Sequence, residues 1–423
     1  MSSDHLPGGA GLHRGDFSAV HTTLQRFIDA RVLPGVSFAV LVGERVVHSA
    51  CLGWADVEQN IALREDHIFR VFSNTKLVTA CAAMLLVDEG RLDLDAPIAH
   101  WLPQLAQPRV LRAGATHLDD TEAARGPITA RHLLTHTGGF SYAHVRPGTP
   151  LGDAYEQQRI LLDANQPLEG FVQSLSTLPL LFHPGTDWEY SVGMDVLARL
   201  IEVASGQEFS HFLAERIFAP LGMVDTAFWV PPTEQHRLVR LYRSLHADQP
   251  LRGGLAPRDD LPFVGAYQRP PALRSGGGGL VSTLGDMTQL IRSLLSPHHA
   301  LLSPSSRQQM LRDQLPPGVA LRFPRTAALT GRGHTLAGAL ALHLSPLDPP
   351  DALGEVQWGG IAGTHWWISP ATGSAVVLMT QRHLGFWNLF AFQARRDIYA
   401  ALRSLRAPSP TLAQTPQPAN ALS

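Results

Sequence analysis

The segment FRVFSNTKLVTACAAMLLVDEG, residues 69–90, decides how the rest of the chain is read. From Leu77 to Val87 it carries no charge and is rich in Ala and Leu. A three-turn helix of that kind has no polar face, so it is expected to be buried on nearly all sides. Asp88-Glu89-Gly90 closes it, with glycine in the usual C-terminal position. Ser73 stands at its entrance and Lys76 three residues on, which puts hydroxyl and amine on one face. A serine there sits at the positive end of the helix dipole, with its own N–H unused by the helix. One turn then supplies a nucleophile, its base and one oxyanion donor.

Lys76 stands out for a second reason. The 34 basic residues are 33 arginines and this single lysine. Arginine stays protonated in proteins, whereas lysine can lose its proton when buried. A lone surviving lysine next to a serine therefore marks a place where arginine does not serve. Ser-x-x-Lys is common by chance, and Ser73 could be a plain helix cap. The charge-free helix and the uniqueness of Lys76 favour the chemical reading.

Composition bounds the alternatives. At 423 residues and 44% hydrophobic content, the chain can bury a sizeable core and form two to three domains or one large two-part fold. The 34 basic and 36 acidic residues nearly cancel, so nucleic-acid binding has no electrostatic support. Two cysteines, Cys51 and Cys81, are too few for a disulfide framework or a cysteine zinc site. No signal peptide or membrane-spanning run is evident, and the expected location is cytoplasmic.

Working outward, residues 16–31 place Phe17, Val20, Leu24, Phe27 and Ile28 at helical spacing. Two β-rich runs, 35–42 and 45–52, flank Gly43-Glu44 and predict a hairpin. A mainly helical middle follows, with a polar insertion at 106–127. Late β signals fall at 336–344, 355–359, 363–369 and 374–380, before a last helix over 387–405. Strands at both chain ends with helices between them point to one antiparallel sheet completed by distant segments. The expected class is α/β, layered as α+β, with an inserted helical domain. The expected division is an arm at 1–15, an α/β unit at 16–75 and 178–406, a helical unit at 76–177, and a disordered tail at 407–423.

Two further motifs carry chemistry. Tyr190-Ser191-Val192 follows a Pro184-Gly185 turn and precedes a helix, so Tyr190 can protrude as a general base. Trp358-Gly359-Gly360-Ile361 lies among the late strands, where two glycines allow close backbone approach and a free N–H can complete an oxyanion hole. Taken singly, each is better explained by packing.

In this order and spacing, the three motifs resemble the serine β-lactamase and penicillin-binding-protein superfamily. They are most similar to its class C-like branch and family VIII carboxylesterases. HLLTHTGGF, PGTDWEYSVGMDVL and SGGGGLVSTLGDM support the resemblance, which covers about residues 16–400. It implies a β-lactamase/transpeptidase-like fold with the site between sheet and helical domain. It implies Ser73 as acyl-accepting nucleophile, Lys76 and Tyr190 as the proton-handling pair, and the N–H groups of Ser73 and Ile361 as oxyanion hole. Two departures concern substrate. Val192 stands where lactamases carry Asn, and Trp358-Gly359-Gly360 replaces Lys-Thr-Gly. An amide and a carboxylate-binding cation are both gone, and an apolar wall suits neutral esters. Trp358, Gly359, Gly360 and Val192 are thus the expected substrate contacts.

The expectation is a serine carboxylesterase acting on small-molecule esters. No metal, cofactor, nucleic acid or membrane is called for, and a homodimer is left open. An acyltransferase or peptidase on the same fold, or a silent binding protein, are the rivals. His132 and His136 have zinc-helix spacing but lack the adjacent glutamate and a third ligand. Gly276–Gly279 is not a P-loop, and no Gly-x-Ser-x-Gly elbow occurs. Of the adjacent Trp366 and Trp367, one is expected in the core and the other facing cleft or solvent.

Overall fold

The computed structural model describes residues 16–161, 165–323, 331–385 and 388–405. The expected N-terminal arm and C-terminal tail lie outside the described residues. The helices are α1 (Ser18–Asp29), α2 (Thr75–Asp88), α3 (Ala130–Leu134), α4 (Pro150–Gln157), α5 (Leu168–Leu175) and α6 (Gly193–Ser205). They continue with α7 (Phe209–Leu213), α8 (Ala219–Leu221), α9 (Leu284–Leu295), α10 (Pro304–Leu311) and α11 (Leu389–Ser404).

The central sheet has eight strands. β1 (Gly35–Val42) and β2 (Arg45–Asp56) form the expected hairpin, and β3 (Ile61–Ala62) extends it. Three two-stranded ribbons lie outside the sheet: β4 (Phe69–Arg70) with β9 (Val281–Ser282), β5 (Arg109–Leu111) with β6 (Thr121–Ala123), and β7 (Tyr242–Ser244) with β8 (Leu255–Pro257). The β5–β6 ribbon falls within the polar insertion, where no strand was anticipated. The late strands are β10 (Arg332–His334), β11 (Ala339–Ala341), β12 (Val356–Gly359), β13 (His365–Ser369) and β14 (Ser374–Thr380). The order is β10-β11-β12-β13-β14-β1-β2-β3. β14 pairs antiparallel with β1, Val36 opposite Thr380 and Val42 opposite Ser374. The last strand of the chain thus seals against the first.

Both faces of this sheet are covered, which is why β1 reads as a nearly unbroken apolar run. On one face Val36, Phe38, Val40, Val376 and Leu378 pack against α1 and α11. On the other, Ala39, Leu41, Val377 and Met379 join a core that takes in the apolar residues of α2 from Leu77 to Leu86. Every residue of α2 from Thr75 to Leu86 is buried, as expected of a helix without a charged face. The tryptophan pair departs from expectation. Trp366 points into the α2 side and Trp367 into the α1/α11 side, and both are fully buried. Alternation does separate them, but helices cover each face, so neither meets solvent or cleft.

Arginine does structural work at the β10–β12 end of the sheet. Arg395 on α11 and Arg332 on β10 both bond Asp348, each at 2.7–2.8 Å. Arg395 and the Tyr399 hydroxyl also bond Glu355, just ahead of β12. All four charged side chains are buried. Burial would raise the Asp348 carboxyl, but hydrogen bonds from Arg395 and Ser345 outweigh it and bring the pKa down to about 2.

Asp348→Ala should therefore cost about 3–5 kcal/mol, the usual loss when one partner leaves a buried ion pair. Asp348→Asn tests the charge itself. A lowered carboxylate pKa contributes stability that is present above the unfolded value of ~3.9 and lost as pH falls through the folded one. Denaturant melts should show a native-to-variant gap that is constant near neutrality and narrows below about pH 4. A gap independent of pH would mean the aspartate acts through shape alone.

Candidate active site

Ser73 sits in a tight turn, Phe72–Asn74, that leads directly into α2. The hydroxyl is not spent on capping: the α2 cap residue is Asn74, without a side-chain cap bond. Phe72 holds φ at +43°, a left-handed conformation that costs energy for a bulky residue. Its ring is buried edge-on against Tyr267, with centroids 5.8 Å apart.

The three residues expected to act together do meet. Ser73 Oγ lies 2.7 Å from Tyr190 Oη and 3.3 Å from Lys76 Nζ. The Lys76 ammonium also donates to the Gly277 carbonyl at 2.6 Å and lies 4.7 Å from the Tyr190 ring centroid. Lys76 is only 4% exposed. A charge so buried needs dipoles and π faces around it, and the Tyr142 ring supplies another at 5.9 Å.

Gly277 belongs to the glycine-rich run that sequence reading set aside as a turn. Its N–H donates to Asp195 Oδ1 at 3.0 Å, and Ser275 Oγ donates to the same oxygen at 2.5 Å. Burial raises the Asp195 pKa, opposed by the Ser275 bond and the Lys76 charge. A Cβ at position 276 would meet Met194 O at 2.5 Å, and one at 277 would meet Asp195 Oδ2 at 2.7 Å. Glycine is therefore required for this turn to fit against α6 while its carbonyls accept from Lys76 and Thr79 on α2. Asp195 was missed because its partners are 80 residues away in sequence.

The Tyr142 and His144 side of the cleft is fastened by Glu189. Arg146 grips the Glu189 carboxylate with two bonds, at 2.7 and 2.9 Å, and Ser141 Oγ adds a third at 2.8 Å. Glu189 immediately precedes Tyr190, so one ion pair fixes both Tyr190 and the loop facing it. Burial, then the Lys76 charge, lowers the His144 pKa.

Across the cleft, among the described residues, the N–H groups of Ser73 and Ile361 have no hydrogen-bond partner. Ile361 is held in place by its carbonyl, which accepts from Leu384 N at 2.7 Å. A Cβ on Gly360 would lie 2.4 Å from both Val71 O and Thr364 Oγ1. The glycine thus lets the 360–361 turn lean on the strand that delivers Ser73.

Two expected substrate contacts are placed differently. Val192 is fully buried: its N–H bonds Ser141 O and its side chain joins the core at the start of α6. Trp358 is 4% exposed, ringed by Tyr190, Phe323 and His334 at centroid distances of 5.5–5.8 Å. It backs the base rather than presenting an open wall. Gly359 closes β12, paired with His365. The His132/His136 pair splits at the end of α3. His132 closes a capping box with Thr129, while His136, at φ +57°, turns toward Tyr190 at 4.9 Å.

A serine hydroxyl within hydrogen-bond reach of both a buried lysine and a tyrosine, facing two N–H groups without partners among the described residues, is the arrangement expected of a serine acyl-transfer centre on a β-lactamase/transpeptidase-like fold. The chain matches the beta-lactamase family profile over residues 20–395 and belongs to that family. It is 29% identical to esterase EstB of Burkholderia gladioli, covering 89% of this chain and 93% of that one. It is 31% identical to the lovastatin esterase of Penicillium rubens, covering 72% and 76% respectively. Among solved structures it is similar to EstCE1, a hydrolase with promiscuous acyltransferase activity, with a TM-score of 0.75 and 26% identity. That match covers 90% of this chain and 98% of the other.

Gly360→Ala should lower kcat for an ester by about 10²–10³, the range for losing one oxyanion donor, because Ile361 N–H must move away. Melting curves recorded alongside should show a folded protein; unchanged kcat would remove Ile361 from the oxyanion hole. Lys76→Arg should be nearly as damaging as Lys76→Ala, since a planar fork cannot fit where one compact ammonium reaches both Ser73 and Gly277. Substantial turnover by the arginine variant would reduce the role of Lys76 to charge alone.

Proposed function

We propose that the protein hydrolyses carboxylic esters of small molecules through an acyl-enzyme on Ser73. The observation that carries this reading is the 2.7 Å contact between Ser73 Oγ and Tyr190 Oη beside the Lys76 ammonium. Tyr190, acting as the base beside that ammonium, takes the Ser73 proton while Oγ attacks the ester carbonyl. The Ser73 and Ile361 N–H groups receive the oxyanion. As the carbonyl re-forms, the C–O bond to the alcohol breaks, and Tyr190 passes its proton to the departing oxygen. Water then gives a proton to Tyr190 and attacks the acyl carbon. The second collapse breaks the bond to Ser73, and Tyr190 returns the proton to Oγ. An alcohol in place of that water gives acyl transfer by the same steps, and the EstCE1 likeness favours this as a second activity.

The surroundings favour esters over β-lactams. In the sequence pattern that the chain resembles, Trp358 replaces a carboxylate-binding cation and Val192 an amide, and neither buried side chain offers the cleft a polar contact in its place. Arg274, a cation whose charge would suit a carboxylate, is engaged by Glu208 at 3.4 Å and stacks over Phe228. No helix among the described residues is long and apolar enough to cross a membrane.

A fluorophosphonate probe should label the native chain on Ser73, forming an Oγ–P bond as fluoride leaves. Ser73→Ala should fold, lose labelling and lose turnover. In the same panel, kcat/KM for a short-chain aryl ester should exceed that for a chromogenic cephalosporin by ~10²-fold or more, given two missing polar contacts at ~1–3 kcal/mol each. Comparable values would make the protein a lactamase with another carboxylate anchor.

A further inference from the structure

Two opposite charges are buried at the centre of this molecule without bonding each other. Lys76 and Asp195 are both buried. The hydrogen bonds of the ammonium go to Ser73 Oγ and Gly277 O. Those of the carboxylate come from Gly277 N and Ser275 Oγ. Both fall on Asp195 Oδ1, and among the described residues Oδ2 has no partner. A proton on Oδ2 would have no acceptor, so the site fits the ionised form. A carboxylate buried without a direct cation is costly, and something must offset it.

The 275–280 turn supplies the link. Lys76 Nζ donates to the Gly277 carbonyl at 2.6 Å. That carbonyl shares its peptide group with the Gly278 N–H, which donates to Ser275 Oγ at 3.1 Å. The Ser275 hydroxyl in turn donates to Asp195 Oδ1 at 2.5 Å. A hydroxyl has one proton and a carboxylate only accepts, so the direction of the chain is fixed. All three donors point from cation to carboxylate, the order in which each bond polarises the next. The rest of the turn is pinned as well. Thr79 Oγ1 donates to Gly276 O, Tyr267 Oη to Gly278 O and Leu280 N to Thr75 Oγ1, at 2.8–3.1 Å. The peptide between the two charges is thus held from several sides.

We propose that Asp195 is the counter-charge of the Lys76 ammonium, coupled to it through the Gly277–Gly278 peptide and the Ser275 hydroxyl. Asp195 and Ser275 are then positioning residues for the lysine and act on the reaction only through it. The coupling registers at the carboxylate: burial raises the Asp195 pKa, and the Ser275 bond and then the Lys76 charge oppose it. The other titratable groups around the ammonium are Tyr190 ahead of α6, Tyr142 and His144 on the 141–146 loop, and His136 after α3. Burial pushes the Tyr142 pKa up and those of His136 and His144 down. None of these three carries charge in the neutral range, so none of them competes with Asp195.

Lys76 is the only lysine in the chain, so isotope-labelled lysine gives the full-length protein one NMR signal that reports this ammonium alone. Asp195→Asn keeps an acceptor oxygen at the end of the chain but removes the charge. Ser275→Ala breaks the chain and leaves the Gly277 N–H bond to Asp195 in place. In both variants the pH midpoint of the Lys76 signal should fall by about one unit or more from the native one, as expected when an opposite charge is lost. Equal midpoints, or no titration in any of the three proteins, would overturn the proposal. In both variants kcat for an ester and the rate of fluorophosphonate labelling should fall ~10-fold, the worth of one hydrogen bond to a charged group. KM should change little. The double variant should lose no more than the worse single one, since both cut the same chain. Ser275→Thr, which restores the hydroxyl, should recover most of the loss. Additive losses, or a folded threonine variant no better than alanine, would overturn the coupling. If Asp195→Asn does not fold, Ser275→Ala carries both arms by itself. The kinetic arm rests on the Ser73 acyl-enzyme reading, and the NMR arm does not. A native chain that takes no label would sink that reading and leave the Lys76 titration standing.

Discussion

One buried ammonium organises the centre of this molecule. Lys76 lies on a helix that has no charged face, and it cannot be left there without compensation. The compensation is assembled from neutral dipoles rather than from a tight counter-ion: the Ser73 hydroxyl, the Gly277 carbonyl and the faces of two tyrosines. The fully buried carboxylate of Asp195 stands one hydrogen bond further out, through Gly277 N–H. A direct lysine–carboxylate pair would hold the proton and the nucleophile's partner in a deep well. A carbonyl and a hydroxyl orient the ammonium without neutralising it, which leaves its field acting on Ser73 and Tyr190.

That arrangement sets requirements on distant segments. The 275–279 turn must wedge between α2 and α6, and Gly276 and Gly277 allow its close approach to Met194 and Asp195. The 141–146 loop must bring Tyr142 over the lysine, and the Arg146–Glu189 fork ties it to the residue before Tyr190. The 360–361 turn must touch the strand that delivers Ser73, which Gly360 permits. Phe72 accepts a left-handed backbone so that Ser73 is thrust forward. Strain of this sort persists only where surrounding packing over-determines it, and Phe72 is buried against Tyr267 and Ala362.

Arginine serves a different purpose in the same chain. Arg332 and Arg395 hold two buried carboxylates by fork-like, direct ion pairs that tie the last helix to the far end of the sheet. Their planar, permanently charged heads suit multidentate bonding. The one lysine stands where a compact ammonium must reach a hydroxyl and a carbonyl together. The division between 33 arginines and a single lysine thus follows the division between fastening and chemistry.

How much of this was legible in the sequence depended on range. Ser73 and Lys76 were readable because i, i+3 spacing on a helix is a local geometric fact, and the uncharged run after them announced burial. The β1–β2 hairpin was readable for the same reason. Tyr190 and the 358–361 segment became readable through their resemblance to a known pattern, since each alone suited ordinary packing. What no local rule could supply was depth. Val192 and Trp358 lie beneath the cleft surface, and both members of the Trp366–Trp367 pair are core because helices cover both sheet faces. Nor could the chain announce that Asp195 would find the glycine turn 80 residues on. By itself the sequence determined the pairing of Ser73 with Lys76 at the mouth of a buried helix and the pattern of helices and strands, because those rest on short-range spacing and on which residues tolerate water. Only the tertiary structure decided what surrounds that lysine, because the dielectric and hydrogen bonding at a buried charge are set by whichever remote segments pack against it.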